Sequence, residues 1–264
     1  MKKFELTTEF ITNAFGKKLF RIKALVEFGD VKAGELGGYV EKEGNVSQAG
    51  NAWVYGNARV SGDARVSGNA WVYGNAWVYG NARVYGDARV YGDARVYGDA
   101  EVYGDAWVSG DARVSGDAWV SDNAWVYGNA RVYGNAWVYG DARVSGNAWV
   151  SGNARVYGDA RVYGNAEVSG NAEVYGDARV CGNAWVYGNA DYALVQGFGT
   201  EFRCTTFYRG KNKKIMVNCG CFHGDLEGFR KQVKETRNGK IAKEYLMIAD
   251  LMEYHFTSED SSDE

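Results

Sequence analysis

Few side chains in this sequence are of types that do chemistry, and their placement already narrows what they can do. Cys219, Cys221 and His223 alternate along one stretch, and Cys204 lies on a stretch expected to pair with it. Thiolates and an imidazole so placed could hold a zinc ion, or supply a nucleophile with its base. The spacing is not that of a zinc knuckle, and Ile215 and Val217 share the same alternating face. Free cysteine is among the most buried residue types, so a small apolar core is the favoured reading. No metal and no cofactor are therefore expected, and an enzyme sited on Cys219, Cys221 and His223 is retained only as an alternative.

The far larger set of special residues belongs to a repeat. From Asn51 to Gly188 the chain runs as 23 consecutive hexads, Asn/Asp-Ala-x-Val-Tyr/Ser-Gly, with Asp122 replacing one final Gly and Cys181 standing at one fifth position. The third position holds 9 Trp, 11 Arg and 3 Glu, and the fifth holds 14 Tyr, 8 Ser and the one Cys. In an extended segment, alternate side chains share a face, so Ala and Val go inward together while the third and fifth residues go outward. Gly followed by Asn or Asp is turn chemistry. Each hexad is thus a short strand plus a corner, and none can bury its Val alone, so the chain must coil and stack on itself. All nine tryptophans are expected to face out.

Read from the valine, Val-Tyr-Gly-Asn-Ala-Arg resembles the hexapeptide repeat of left-handed parallel β-helices, and the resemblance covers residues 45–190. It implies a three-sided coil of eighteen residues, about eight coils in all, with a hand opposite to the general preference of parallel crossovers. Many proteins of that group are acyltransferases with a histidine base, or carbonic anhydrases with histidine-bound zinc. Here the hexads carry no histidine and no inserted loop, because His223 and His255 both lie beyond them. Catalysis of that type is not expected. The run Asp30 to Val40, followed by Asn45 to Gly50, resembles the opening segment of bacterial proteins called YdcK-like, which also carry hexapeptide repeats. The run Cys219 to Phe229 resembles a module of uncharacterised bacterial and phage proteins, which implies a phage or prophage origin.

With eighteen residues per coil, third-position residues form columns. Trp107 falls on Trp125 and Trp119 on Trp137, giving two stacks on adjacent faces, with Arg89 and Arg143 at the ends of the first. Trp, Tyr and Arg are the residues enriched in binding hot spots, so Trp107, Trp119, Trp125, Trp137, Arg89 and Arg143 form the candidate binding surface. The bland alternative is that these columns only stabilise the rod, by aromatic and cation-π stacking. The pairs Asp87/Asp105, Asp93/Asp111 and Asp99/Asp117 also stack. They are read as solvated corners with local ion pairing, since seven of the ten first-position Asp precede an Arg by two residues.

The expected fold is mainly β: a left-handed parallel β-helix over 45–190, with a β-rich N-terminal cap over 1–44 and a small ββαα domain over 191–256. The acidic stretch 257–264 is expected to be disordered. In the cap, residues 4–12 and 17–28 read as paired strands, and Asn45 to Gly50 is a degenerate first hexad. In the C-terminal domain, 200–209 and 214–222 read as strands around a turn at 210–213. Asp225 is expected to cap a helix carrying Leu226, Phe229 and Val233, and a second helix sets Ile241, Tyr245, Ile248 and Met252 on one face.

The formal charge is −3, with no proline and 36 glycines, and no region is a basic block, which counts against nucleic acid as ligand. Residues 1–20 contain no long apolar run, so neither a secretory signal nor a membrane span is expected. Four unevenly spread Cys make no disulfide framework, and a reducing cytoplasm is the default compartment. The function expected is a non-catalytic scaffold that engages a host protein, or a copy of itself, through its Trp/Tyr/Arg faces. A glycan-binding or single-stranded nucleic-acid-binding module is the alternative.

Overall fold

The computed structural model describes residues 1–199, 203–211 and 213–257. From Trp53 to Val186 every hexad contributes a two-residue strand, its third residue and its Val, and these strands fall into three parallel sheets. Strand neighbours are eighteen residues apart: Arg89 pairs with Trp107, Arg95 with Arg113 and Glu101 with Trp119. The result is a parallel β-solenoid of about eight coils. Hexads before the last coil send two or three amides to the next, as in Asp87 N to Gly104 O, Arg89 N to Ala106 O and Tyr91 N to Val108 O, all at 2.9 Å. These bonds tie each coil to the next and pair most of the rod's strand backbone.

Inside, the prediction of the alternating pattern holds without exception. All the hexad valines are fully buried, and so are the alanines beside them. Outside, the first-position residues form corner columns in which one amide serves the next, as from Asn69 Nδ2 to Asp87 Oδ1 at 3.1 Å. The corner glycines have positive φ, and Gly98 shows why glycine is required twice over. Its φ is 72°, and an added Cβ would lie 3.0 Å from the amide nitrogen of Gly116 in the next coil. Asp122 is the one corner where a side chain is accepted, at φ 55°, with its Oδ2 accepting from Gly140 N at 3.1 Å.

The N-terminal strands Phe4–Thr12 and Lys18–Ala24 pair antiparallel. The next strand, Leu36–Val40, pairs antiparallel with the second and parallel with Arg59–Val60. The cap is therefore a continuation of one solenoid face. Asn45 to Gly50 does behave as an incomplete first hexad: Val46 is buried and bridges Val66.

At the other end, the two expected C-terminal strands belong to a four-stranded antiparallel sheet of Tyr192–Phe198, Arg203–Arg209, Ile215–Cys219 and Phe222–Asp225, in that order. The stretch 214–222 does not run as one strand, because Gly220 turns at φ 59° and starts a new one. Two helices follow, α1 over Leu226–Thr236 and α2 over Gly239–Thr257. Asp225 caps α1 by accepting from Gly228 N at 2.9 Å. Phe207 and Val217 face the helices, packing with Leu226, Phe229, Val233, Tyr245, Ile248 and Met252. Tyr208 and Met216 face the other way, onto the last coil. Residues 200–202 of the expected strand and 258–264 of the expected tail lie outside the described residues.

Candidate functional site

Each of the two tryptophan stacks forms as the columns predict, one on each of two sheets of the rod. Trp107 and Trp125 lie with ring centroids 4.8 Å apart and planes within 4°, and Trp119 and Trp137 match them at 4.9 Å and 4°. Parallel, in-register strands impose this geometry, since the ring spacing equals the strand spacing. Trp119, Trp125 and Trp137 are 36–37% exposed, and Trp107 is half-buried.

Arginine completes the columns. Arg89 is sandwiched between Trp71 at 5.4 Å and Trp107 at 5.2 Å, and Arg143 covers Trp125 at 5.1 Å. Arg155 covers Trp137 at 5.1 Å. One face thus carries an unbroken column Trp71, Arg89, Trp107, Trp125, Arg143. Each contact is worth about 0.5–1.5 kcal/mol, so the columns do stabilise the rod. Their ring faces are turned to one another, and their edges are what solvent meets.

The fifth-position ladder runs beside them. Tyr73 stacks on Tyr91, Tyr85 on Tyr103 and Tyr139 on Tyr157, with planes within 5°. Burial raises the Tyr85 phenol above its ordinary range, reinforced by its hydrogen bond to Glu101 at 2.9 Å. Glu101 also receives Arg83 at 3.3 Å.

Three expectations need correction. Trp53 does not face out: it is fully buried, edge-on to Phe4 at 5.8 Å and Phe28 at 5.3 Å, because the N-terminal strands fold over its side of the first coil. Among the described residues no first-position Asp pairs with the Arg two residues on, and Asp63 pairs instead with Lys42 of the cap. Several hexad arginines turn to the neighbouring coil instead: Arg59, Arg89, Arg131 and Arg143 to Trp rings, Arg83 to Glu101, and Arg155 to both Trp137 and Glu173. Finally, the cysteines and His223 do not converge. Cys219 packs toward the helices, Cys221 is exposed at the turn, and His223 points to the rod, its Nε2 3.1 Å from the Tyr208 hydroxyl. Cys204 points away toward the Asp177 carbonyl at 3.6 Å. Among the described residues no cluster of metal-ligating side chains occurs.

Beyond the aromatic stacks, one column ends in a run of arginines. Arg143, Arg161 and Arg179 occupy three consecutive rungs of one face, in register. With Tyr127, Ser145 and Tyr163 they line a notch of about 230 Å³, opened where Ser145 interrupts the tyrosine ladder.

No curated protein matches this chain. The sequence model of the YdcK beta solenoid repeat matches it in successive segments from residue 52 to residue 188, just over half of its length. Hexad sequence, stacked rungs and family match agree, and the chain belongs to the YdcK β-solenoid repeat family.

Proposed function

We propose that this protein is a non-catalytic scaffold whose rod engages a protein partner, or a second copy of itself, through the edges of its aromatic columns. The surface is centred on Trp107, Trp119, Trp125 and Trp137, with Arg89 and Arg143 closing the first stack. The observation that supports it is the combination of rigidity and exposure: each ring is pinned by its stack, yet Trp119, Trp125 and Trp137 keep more than a third of their surface in water. Such side chains have little rotamer freedom to lose on contact.

Binding of glycans or single-stranded nucleic acid is the second reading, and it fits less well. Both ligands are held by stacking on open ring faces. In the Trp107/Trp125 column those faces are taken by the neighbouring indole or guanidinium. An enzyme in the C-terminal domain fits least, since its candidate groups diverge. Four free thiols agree with a reducing cytoplasm. The likeness of the C-terminal module to phage proteins makes a host protein the favoured partner.

The test is affinity capture from the natural host with the intact chain and with a variant in which Trp107, Trp119, Trp125 and Trp137 are all replaced by Ala. The variant is expected to stay folded by circular dichroism and to lose the partner. Unchanged capture by the folded variant removes the aromatic surface from consideration and moves binding to the C-terminal domain.

A further inference from the structure

We propose that the notch beside Arg143, Arg161 and Arg179 is a binding site for a phosphate or sulfate group. Their pairing in register repeats a positive charge at the strand spacing of about 4.8 Å. Arg143 rests on Trp125. Among the described residues, the guanidiniums of Arg161 and Arg179 have neither an acidic partner nor a ring beneath them, whereas Arg83 and Arg155 are paired with Glu101 and Glu173. Like charges stacked at this spacing repel even in water, so this column is poised for a counter-ion.

The recess supplies the shape. Ser145 stands between Tyr127 and Tyr163, and its short side chain leaves the notch of about 230 Å³, ample for a tetrahedral oxyanion, with no carboxylate in its lining. Asp141, Asp159 and Asp177 precede the arginines by two residues and sit at the exposed corner, on the side away from the tyrosine ladder. The floor is fixed by the C-terminal sheet. Asn218 Nδ2 donates to the Tyr163 hydroxyl at 3.2 Å and to the Arg179 carbonyl at 3.4 Å, and Arg179 N donates to Thr206 Oγ1 at 3.0 Å. A planar carboxylate has two oxygens to share among three rungs. A phosphate or sulfate has more, in a geometry that suits forked guanidinium donors.

The group is either free or one of a linked series, and the test separates the two. The intact protein is titrated calorimetrically at physiological ionic strength with inorganic phosphate, with sulfate and with tripolyphosphate. Saturable binding is expected; tighter binding of tripolyphosphate assigns a linked anionic chain, and equal affinity assigns a single group. Arg161→Gln should weaken binding about tenfold or more, the worth of one charge-assisted contact. Arg161→Lys should fall between, keeping charge but not the fork. Arg83→Gln removes the same charge from an arginine already paired, and should change affinity by less than about twofold. Both side chains replaced, Arg161 and Arg83, are exposed, so the three variants remain folded, as melting curves will verify. Failure of all three anions to bind, or equal weakening by Arg161→Gln and Arg83→Gln, overturns the proposal. The outcome is independent of the aromatic surface, because none of these variants touches Trp107, Trp119, Trp125 or Trp137.

Discussion

The Sγ of Cys181 lies 3.4 Å from the hydroxyl of Tyr208, at the single hexad whose fifth residue is neither Tyr nor Ser. That hexad is where the C-terminal sheet meets the rod. Tyr208 is fully buried there, with its hydroxyl also 3.1 Å from His223 Nε2, and Asn218 Nδ2 reaches Cys181 Sγ at 3.5 Å. A tyrosine at 181 would put a second ring where Tyr208 already stands.

Cys181→Tyr is therefore expected to lift the sheet from the last coil, whereas Cys181→Ser, small and able to hydrogen-bond, should keep it docked. Limited proteolysis of residues 192–257 reads the difference. Equal protection of the two variants would show that the contact does not hold the domain in place.

The inside and outside of the rod should differ sharply in tolerance. Val120 is fully buried, and Val120→Asp places a carboxyl in a dry core at a cost above about 4 kcal/mol, enough to lose soluble protein. Its neighbour Trp119 is 37% exposed, and Trp119→Ala gives up chiefly the stack on Trp137, about 1 kcal/mol. Melting curves of the two variants check this, and similar midpoints would contradict the assignment.

At the corners, Gly98→Ala should destabilise by roughly 1–3 kcal/mol, combining positive φ with crowding of the Gly116 amide. Gly98→Asp should do less harm, because Asp122 shows how a carboxylate recovers an amide of the next coil. Chemical denaturation midpoints give the order of the two, and a reversed order would mean that the Asp122 hydrogen bond contributes nothing.

Two groups at the N-terminal end respond oppositely to alkali. Burial lowers Lys3, whose Nζ donates to Ala52 O at 2.8 Å, to about 8. Above that pH the unfolded chain holds a proton that the folded chain has released, so this group adds stability as pH rises toward the ordinary lysine range. Burial pushes Tyr55 up to about 12. Its contribution is complete below the ordinary phenol value of about 10 and is lost as pH rises through about 12. Phenolate absorbance, followed alongside circular dichroism, should show part of the tyrosine ionisation delayed until the fold is lost. A single ordinary titration step would refute it.

The hexad made the core and the columns legible, because Val, Ala and the third residue repeat with the period of the structure itself. Trp53 breaks the outward rule because its cover is non-local: Phe4 comes from the first N-terminal strand and Phe28 from the loop after the second, both folded back over it. The signal was Gly37, where a Cβ would lie 2.7 Å from the Trp53 ring and 2.6 Å from Ile22. Likewise Gly220 marked the break between the last two strands of the C-terminal sheet. Of the candidate surface, the stacking of Trp107 on Trp125 could be read from eighteen-residue spacing alone. The divergence of Cys219 and His223 could not, because Gly220 resets the alternation between them.

Stacking by eighteen in a chain that repeats by six separates two quantities. Adding or deleting a whole coil would change the reach of the rod by about 4.8 Å and leave every column downstream in phase. Adding or deleting one hexad would instead rotate everything beyond it by a third of a turn, carrying Trp125 away from Trp107 and Arg161 away from Arg143. Length and azimuth are thus geared to different units of the same sequence, and the direction in which the C-terminal sheet faces is set by the hexad count modulo three.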